Sequence, residues 1–149
     1  MRAEILGKTG KKKIFTWLRD RFGFKGEIPY GFLKIQGRIK VLSRDFQNFT
    51  VKGLGIEDLG LLFAEWKGDR LMLTIEGSQI VGPEATKNVL ELDAEQMVEW
   101  MTGGVLRSVE GLEEGAIILK HNRDFLGCGE LSRGKIWSSI PPHRRIKGR

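Results

Sequence analysis

The chain has 149 residues, 40% hydrophobic and 30% charged, a balance that supports one packed domain, with room for a small attachment, and excludes an extended disordered chain. No apolar run reaches the roughly 20 residues of a membrane span, and the lysine-rich N-terminus leads into Ile14, Phe15, Trp17 and Leu18 in place of a signal segment, so a soluble, cytoplasmic protein is expected. Cys128 is the single cysteine, which excludes an internal disulfide, and with only His121 and His143 no zinc-type ligand set can be assembled, so neither metal nor cofactor is expected.

The net charge of +6 conceals a segregation. Met1 to Lys52 carries 13 Lys and Arg against 4 Asp and Glu, or +9; Gly53 to Gly115 carries 4 against 13, or −9; Ala116 to Arg149 carries 8 against 2, or +6. A solvated mixed surface scatters both signs. The two ends are therefore expected to share a positive face or to form separate basic arms, with the acidic middle turned away from any nucleic acid.

In chain order, the first expected element is a helix over Lys11 to Phe22, because Ile14, Phe15, Trp17, Leu18 and Phe22 fall within an arc of about 160° at 100° per residue; it should stop at Gly23. After Pro29, Tyr30 to Arg44 reads as two strands joined at Gln36-Gly37, with Ile39 and Val41 on one face and Arg38, Lys40 and Arg44 mostly on the other. Phe46 and Phe49 follow, and then Gly53-Leu54-Gly55, taken as the seam between an N-terminal attachment (1–54) and a main domain (55–149).

Leu59 to Glu76 reads as a hairpin turning at Lys67-Gly68-Asp69, with Leu71, Leu73 and Ile75 alternating with Arg70, Thr74 and Glu76. Gly77 to Lys87 is expected to be a polar loop with single helical turns around Pro83. In the second helix, Asp93 caps the start, Gln96 stands in capping-box spacing and Gly103-Gly104 supplies the stop; Ala94, Met97, Val98, Trp100 and Met101 form its apolar arc, which makes Trp100 a core anchor. The closing region alternates again. Ile117 and Leu119 run into the turn His121-Asn122-Arg123-Asp124, Phe125 to Leu131 returns, Ser132-Arg133-Gly134-Lys135 turns once more, and Ile136 to Ile140 forms a third strand ended by Pro141-Pro142. The expected architecture is α+β, with a β-barrel core and two main helices.

Catalytic signatures are lacking. There is no G-x-S-x-G elbow, H-E-x-x-H or P-loop, and neither Gly53-Leu54-Gly55 nor Gly127-Cys128-Gly129 has the strand-to-helix context of a dinucleotide fingerprint. Cys128 lies in an apolar strand and reads as an inert buried thiol, its flanking glycines as sites of close backbone approach. The carboxylate pairs Glu57-Asp58 and Glu113-Glu114 are neighbours that point to opposite sides of an extended chain, and His121 has no evident Ser or Cys partner. What remains is the chemistry of binding polyanions, in which Lys and Arg neutralise phosphates and aromatic faces stack on unpaired bases. Two sets meet that description: Arg133, Lys135, Trp137, His143, Arg144, Arg145 and Lys147 near the end, and Lys11, Lys12, Lys13, Arg38, Lys40 and Arg44 near the start.

The segment Gly115-Ala116-Ile117-Ile118-Leu119, a turn, Phe125-Leu126-Gly127-Cys128-Gly129, a second turn, Lys135-Ile136 and then Pro141 to Ile146 resembles the end of PUA-type RNA-binding domains, in particular the version that follows the catalytic domain in Sun-type (Nol1/Nop2-like) RNA cytosine-5 methyltransferases. The resemblance runs loosely from Leu59 and strongly over the last part, Gly115 to Ile146. It implies a PUA-like β pseudobarrel that binds structured RNA such as tRNA or rRNA. The family's cofactor-binding domain and catalytic cysteines have no counterpart here, so it implies binding without catalysis. The N-terminal helix and β-hairpin lie outside it and read as a small RNA-facing α/β attachment.

The expectation is a non-catalytic RNA-binding protein, not an enzyme, accessory to RNA modification or ribosome assembly, with cations of both ends on phosphates. Trp137 either stacks on a base or packs in the core. The alternative is an adapter that docks on a separately encoded RNA-modifying enzyme or ribosomal protein through its acidic third.

Overall fold

The computed structural model describes residues 3–42 and 60–146. Its first sheet is an antiparallel meander of β1 (Ala3–Ile5), β2 (Gly31–Ile35), β3 (Arg38–Leu42), β4 (Leu61–Lys67) and β5 (Arg70–Leu73), with α1 (Lys8–Phe22) inserted between the first two strands. In α1, Ile14, Leu18 and Phe22 recur every four residues and are buried, and Phe15 meets Phe32 of β2 edge to face at 6.0 Å. The helix begins at Lys8, one turn before Lys11, because Lys8, Thr9 and Gly10 bury no apolar side chain and so leave no periodic signal. It stops at Gly23 as expected, at φ 67°, where the N–H bonds Arg19 O at 2.8 Å and a β-carbon would collide with Thr86 Oγ1.

β2 and β3 turn at Gln36-Gly37, both at positive φ (48° and 80°), as a tight two-residue hairpin requires. Ile39 and Val41 are buried, while Arg38 is exposed and Lys40 half-buried. The seam expected at Gly53-Leu54-Gly55, with Arg44, Phe46, Phe49 and the Glu57-Asp58 pair, lies outside the described residues. The strands on either side of it, β3 and β4, pair within one sheet.

The chain does not continue as a strand to Glu76. β5 ends at Leu73, and α2 (Ile75–Val81), followed by a 3₁₀ turn at Gly82–Glu84, replaces the start of the expected polar loop. Thr74 causes the switch, because its Oγ1 accepts from Gly77 N–H at 3.0 Å and donates to Leu62 O at 2.6 Å, capping the helix and pinning it to β4. Leu71, Met72 and Leu73 are all buried, so β5 is covered on both faces and does not alternate. Ser78 is fully buried; its hydroxyl donates to Ile75 O at 2.6 Å and accepts from Gly127 N–H at 2.9 Å, which fastens α2 to the second sheet.

That sheet consists of β6 (Val89–Glu91), β7 (Leu106–Arg107), β8 (Gly115–His121), β9 (Asp124–Ser132) and β10 (Lys135–Ser138), in the spatial order β6-β8-β9-β10-β7, with β6 parallel to β8 and the other pairs antiparallel. β8, β9 and β10 are the three strands read from the sequence, although β10 ends at Ser138, short of Ile140. α3 (Ala94–Met101) starts on a complete capping box, with Asp93 Oδ1 accepting from Gln96 N–H at 2.7 Å and Gln96 Oε1 from Asp93 N–H at 3.0 Å. Its apolar arc is narrower than expected. Ala94 and Val98 are exposed, and the helix is seated by Trp100, which is fully buried and donates Nε1–H to Leu126 O at 2.8 Å. Gly129 of β9 makes that seat possible, since a β-carbon there would stand 2.6 Å from the Trp100 ring and 2.7 Å from Ile136.

One core cluster joins Ile14, Leu18 and Phe22 of α1 with Phe32, Phe63 and Leu73 of the first sheet and Ile118 and Cys128 of the second. A further cluster lies under α3 and contains Trp100, Leu106, Ile117, Leu131 and Ile136.

Candidate nucleic-acid interface

Strand alternation builds an exposed face at the far side of the second sheet. Leu106, Leu131 and Ile136 turn inward around Trp100, so Arg107 of β7, Ser132 of β9, and Lys135 and Trp137 of β10 turn outward. Trp137 is half exposed (50%) and is thus available for stacking and not part of the core. Lys135 lies directly across from Ser132 on one side and from Arg107 on the other. At the tip, Arg133 (φ 52°) and Gly134 (φ 77°) make the turn. Ser132, Arg133, Lys135 and Trp137 line a shallow concavity of about 390 Å³.

Two carboxylates stand close by, and both are engaged. Glu130, opposite Trp137, is paired with Arg70, and Glu114 Oε1 accepts from the backbone N–H of Arg133 at 3.4 Å. Among the described residues the side chains of Arg107, Arg133 and Lys135 enter no ion pair.

The other basic residues singled out from the sequence lie elsewhere. Arg144 is held by both carboxylate oxygens of Glu76, at 2.7 Å to Oε2; Arg145 donates Nε–H to Ile140 O at 3.1 Å; Ile146 N–H bonds Met101 O at 2.8 Å. These contacts tie the C-terminal 3₁₀ turn, Pro142–Arg144, to α2 and α3. His143 is exposed at the rim of a cleft of about 230 Å³, beside Lys67 and Arg144, over a floor that includes Met72 and Ile140. On α1, Lys12 and Lys13 are exposed, and Lys13 Nζ sits 4.9 Å from the ring centre of Trp66; Lys11, Arg19 and Lys25 border a separate groove of about 600 Å³ over Phe15 and Phe24. Arg38 faces Glu65 across the ladder, and Lys40 lies between Leu33 and Leu62. Arg44 and Lys147 are outside the described residues. The cations thus occupy several places: α1 and the first sheet, the C-terminal turn, which shares its cleft with Lys67 of β4, and the β9–β10 hairpin.

Cys128, His121, Glu113 and Glu114 are each buried or bonded within the fold. Cys128 is fully buried, and burial pushes its thiol up from an ordinary 9.0 to about 12, so it carries no thiolate near neutral pH. His121 Nδ1 lies 2.7 Å from Leu92 O; a carbonyl only accepts, so Nδ1 bears the proton and the ring is fixed in a β8-to-loop bond. Glu113 accepts from Asn88 Nδ2–H at 3.3 Å and, like Glu114, belongs to a bonded loop.

Three arginines gave no sequence signal. Arg21 donates Nε–H to Ala116 O at 2.8 Å and Nη2–H to Glu113 O at 2.7 Å, a strut from α1 to β8; burial lowers its pKa while Glu113 pulls it the other way. Arg70 neutralises Glu130. Arg107 sits on a strand of two residues, too short to show a period. Among the described residues there is no cluster of three His, Cys, Asp or Glu able to hold a metal, and no helix is long and apolar enough to cross a membrane.

Residues 87–146 match the sequence family described as the methyltransferase RsmF PUA domain. The resemblance read from Gly115 to Ile146 therefore points to the same kind of domain, and two sheets with three helices in an α+β arrangement are consistent with it. The match takes in the whole β7–β10 face and less than half of the chain; α1 and the first sheet lie outside it. What is matched is a PUA domain and not a catalytic one. No curated protein matches the chain.

Proposed function

We propose that this chain is an RNA-binding protein without catalysis of its own, acting on tRNA or rRNA as an accessory to RNA modification or ribosome assembly. The observation that carries the reading is Trp137, half exposed within the PUA-matched segment and sharing a concavity with Arg133 and Lys135, with Arg107 across the ladder from Lys135. In this reading the second sheet, together with β4 and β5, forms a PUA-like pseudobarrel, and the segment before residue 55 is a basic attachment whose Lys11, Lys12 and Lys13 add phosphate contacts. Cys128, buried as a neutral thiol, and His121, bonded to Leu92, support a role without covalent chemistry.

The test is fluorescence anisotropy with labelled tRNA and rRNA fragments over a series of salt concentrations. With about six phosphate contacts, log K should fall against log salt with a slope of roughly −4 to −5. An affinity that ignores salt, or none for either RNA, would refute the reading.

A further inference from the structure

The pairing of β7 with β10 holds an arrangement that works against folding. Ser108 N–H donates to Gly134 O at 2.9 Å, which makes Arg107 and Lys135 a non-hydrogen-bonded antiparallel pair. At such positions facing Cα atoms approach to about 4.5 Å and side chains come closest. Two cations face each other there, and like charges directly opposite are destabilising. The turn beside them repeats the conflict. Arg133 takes φ 52° at the first position of a two-residue turn, as Gln36 does at φ 48° in the β2–β3 turn, although glycine, asparagine or aspartate is preferred there. A charge on an edge strand such as β7 guards against unwanted pairing, but one charge suffices for that.

Trp137 stands two residues beyond Lys135 on the same face, about 6.6 Å along the strand at 3.3 Å per residue. An anion between the facing cations and a flat apolar ring on Trp137 would together satisfy all three residues. A nucleotide carries both groups at about that separation.

We infer that this face is the seat of one unpaired nucleotide, its phosphate held by Arg107, Lys135 and Arg133 and its base stacked on Trp137. The inference rests on the RNA-binding reading and narrows its ligand to single-stranded RNA. An internal base of a duplex is covered on both faces by its neighbours and cannot lie on the ring. The seat stays positive: Glu130 is neutralised by Arg70, and the one remaining local carboxylate, Glu114, which bonds the Arg133 backbone, stands against the three cations Arg107, Arg133 and Lys135.

The experiment measures the full chain against a labelled eight-nucleotide single strand and a duplex of the same sequence at one ionic strength. The single strand should bind at least about ten-fold tighter. Trp137→Ala should lower its affinity roughly 5- to 150-fold, the range that loss of a stacked base corresponds to, with melting unchanged. Arg107→Gln, which removes the facing repulsion and keeps a polar edge, should weaken binding several-fold and reduce the salt slope by about 0.7. Equal affinity for the duplex, or an Arg107→Gln protein with unaltered affinity and slope, would overturn the nucleotide seat and leave RNA binding to other surfaces. A full chain with no affinity for any RNA would overturn the RNA-binding reading and the seat with it.

Discussion

Reversing Arg107 to Glu separates a cation kept for the fold from one kept for a ligand. The substitution converts a facing like pair into a facing opposite pair without touching the core, because Arg107 points outward while Leu106 packs inward. Two unit charges about 4 Å apart interact with about 1 kcal/mol in water. Cross-strand charge pairs are worth roughly 0.2–1 kcal/mol, and exposed ones sit toward the low end. Losing a repulsion and gaining an attraction of that size should stabilise the protein by about 0.5–1 kcal/mol, or about 1–4 °C in Tm for a chain of this length. Thermal unfolding followed by circular dichroism should show the rise in dilute buffer and show it shrink in 1 M salt, where the Debye length is about 3 Å. The same protein should bind single-stranded RNA more than about ten-fold more weakly at low salt, since one phosphate contact is replaced by a carboxylate. A fall in Tm would show that Arg107 supports β7 through its side-chain stem and that the like-charge reasoning is wrong. A higher Tm with unchanged RNA affinity would show that the conflict has no connection with RNA.

Arg133→Asn replaces a strained residue with one that tolerates the left-handed region, so chemical denaturation should give a gain of some tenths to about 1 kcal/mol while RNA affinity drops; no gain would mean that the turn is relaxed with arginine. Ser78→Ala leaves the buried Gly127 N–H without its acceptor and should cost about 1–3 kcal/mol in denaturant titrations, with RNA affinity of the folded protein unchanged; a neutral result would mean that α2 does not depend on this bond. The Cys128 thiol titrates at about 12 folded and near 9.0 when free, so the unfolded chain loses its proton first as pH rises. The stability contributed by the neutral thiol is therefore whole below pH 9 and declines by about 1.4 kcal/mol per pH unit toward pH 12. Cys128→Ala should flatten the alkaline loss of stability between roughly pH 9 and 11, and an unaltered slope would contradict burial of the neutral thiol.

How much of this was legible in the sequence depends on the range over which each feature is fixed. α1, the turn at Gln36-Gly37, the Asp93–Gln96 capping box and the strand order of the closing region are local patterns, and they were readable. α2 was not, because its cause is Thr74 bonding to Leu62 across the sheet, and its Gly77 and Ser78 weaken any helical period. β6 and β7 are three and two residues long and are defined only by the strands they meet. The candidate site was half legible. Arg133, Lys135 and Trp137 could be named from basic and aromatic interleaving, but Arg107 joins them through a ladder 28 positions away in sequence. Arg144 and Arg145 look like a free basic tail until Glu76 and Ile140 are seen beside them.

Those arginines supply a rule for sorting a basic surface. Arg21 bonds two carbonyls, Arg70 and Arg144 each meet a carboxylate, and Arg145 meets a carbonyl; each satisfies a polar group that folding has brought close. Such residues have a sufficient reason in the fold, whatever else they touch. Among the described residues Arg107 and Arg133 enter no such pair: one faces a lysine across the ladder and the other takes positive φ in a two-residue turn. Composition cannot draw this distinction, because each of these arginines adds the same unit charge to its segment, whether that segment is basic overall or, as for Arg70 and Arg107, acidic. The contacts each residue makes can draw it: among the described residues Arg107, Arg133 and Lys135 enter no ion pair, and Arg107 and Lys135 lie on the face that carries Trp137, the exposed tryptophan of the matched segment.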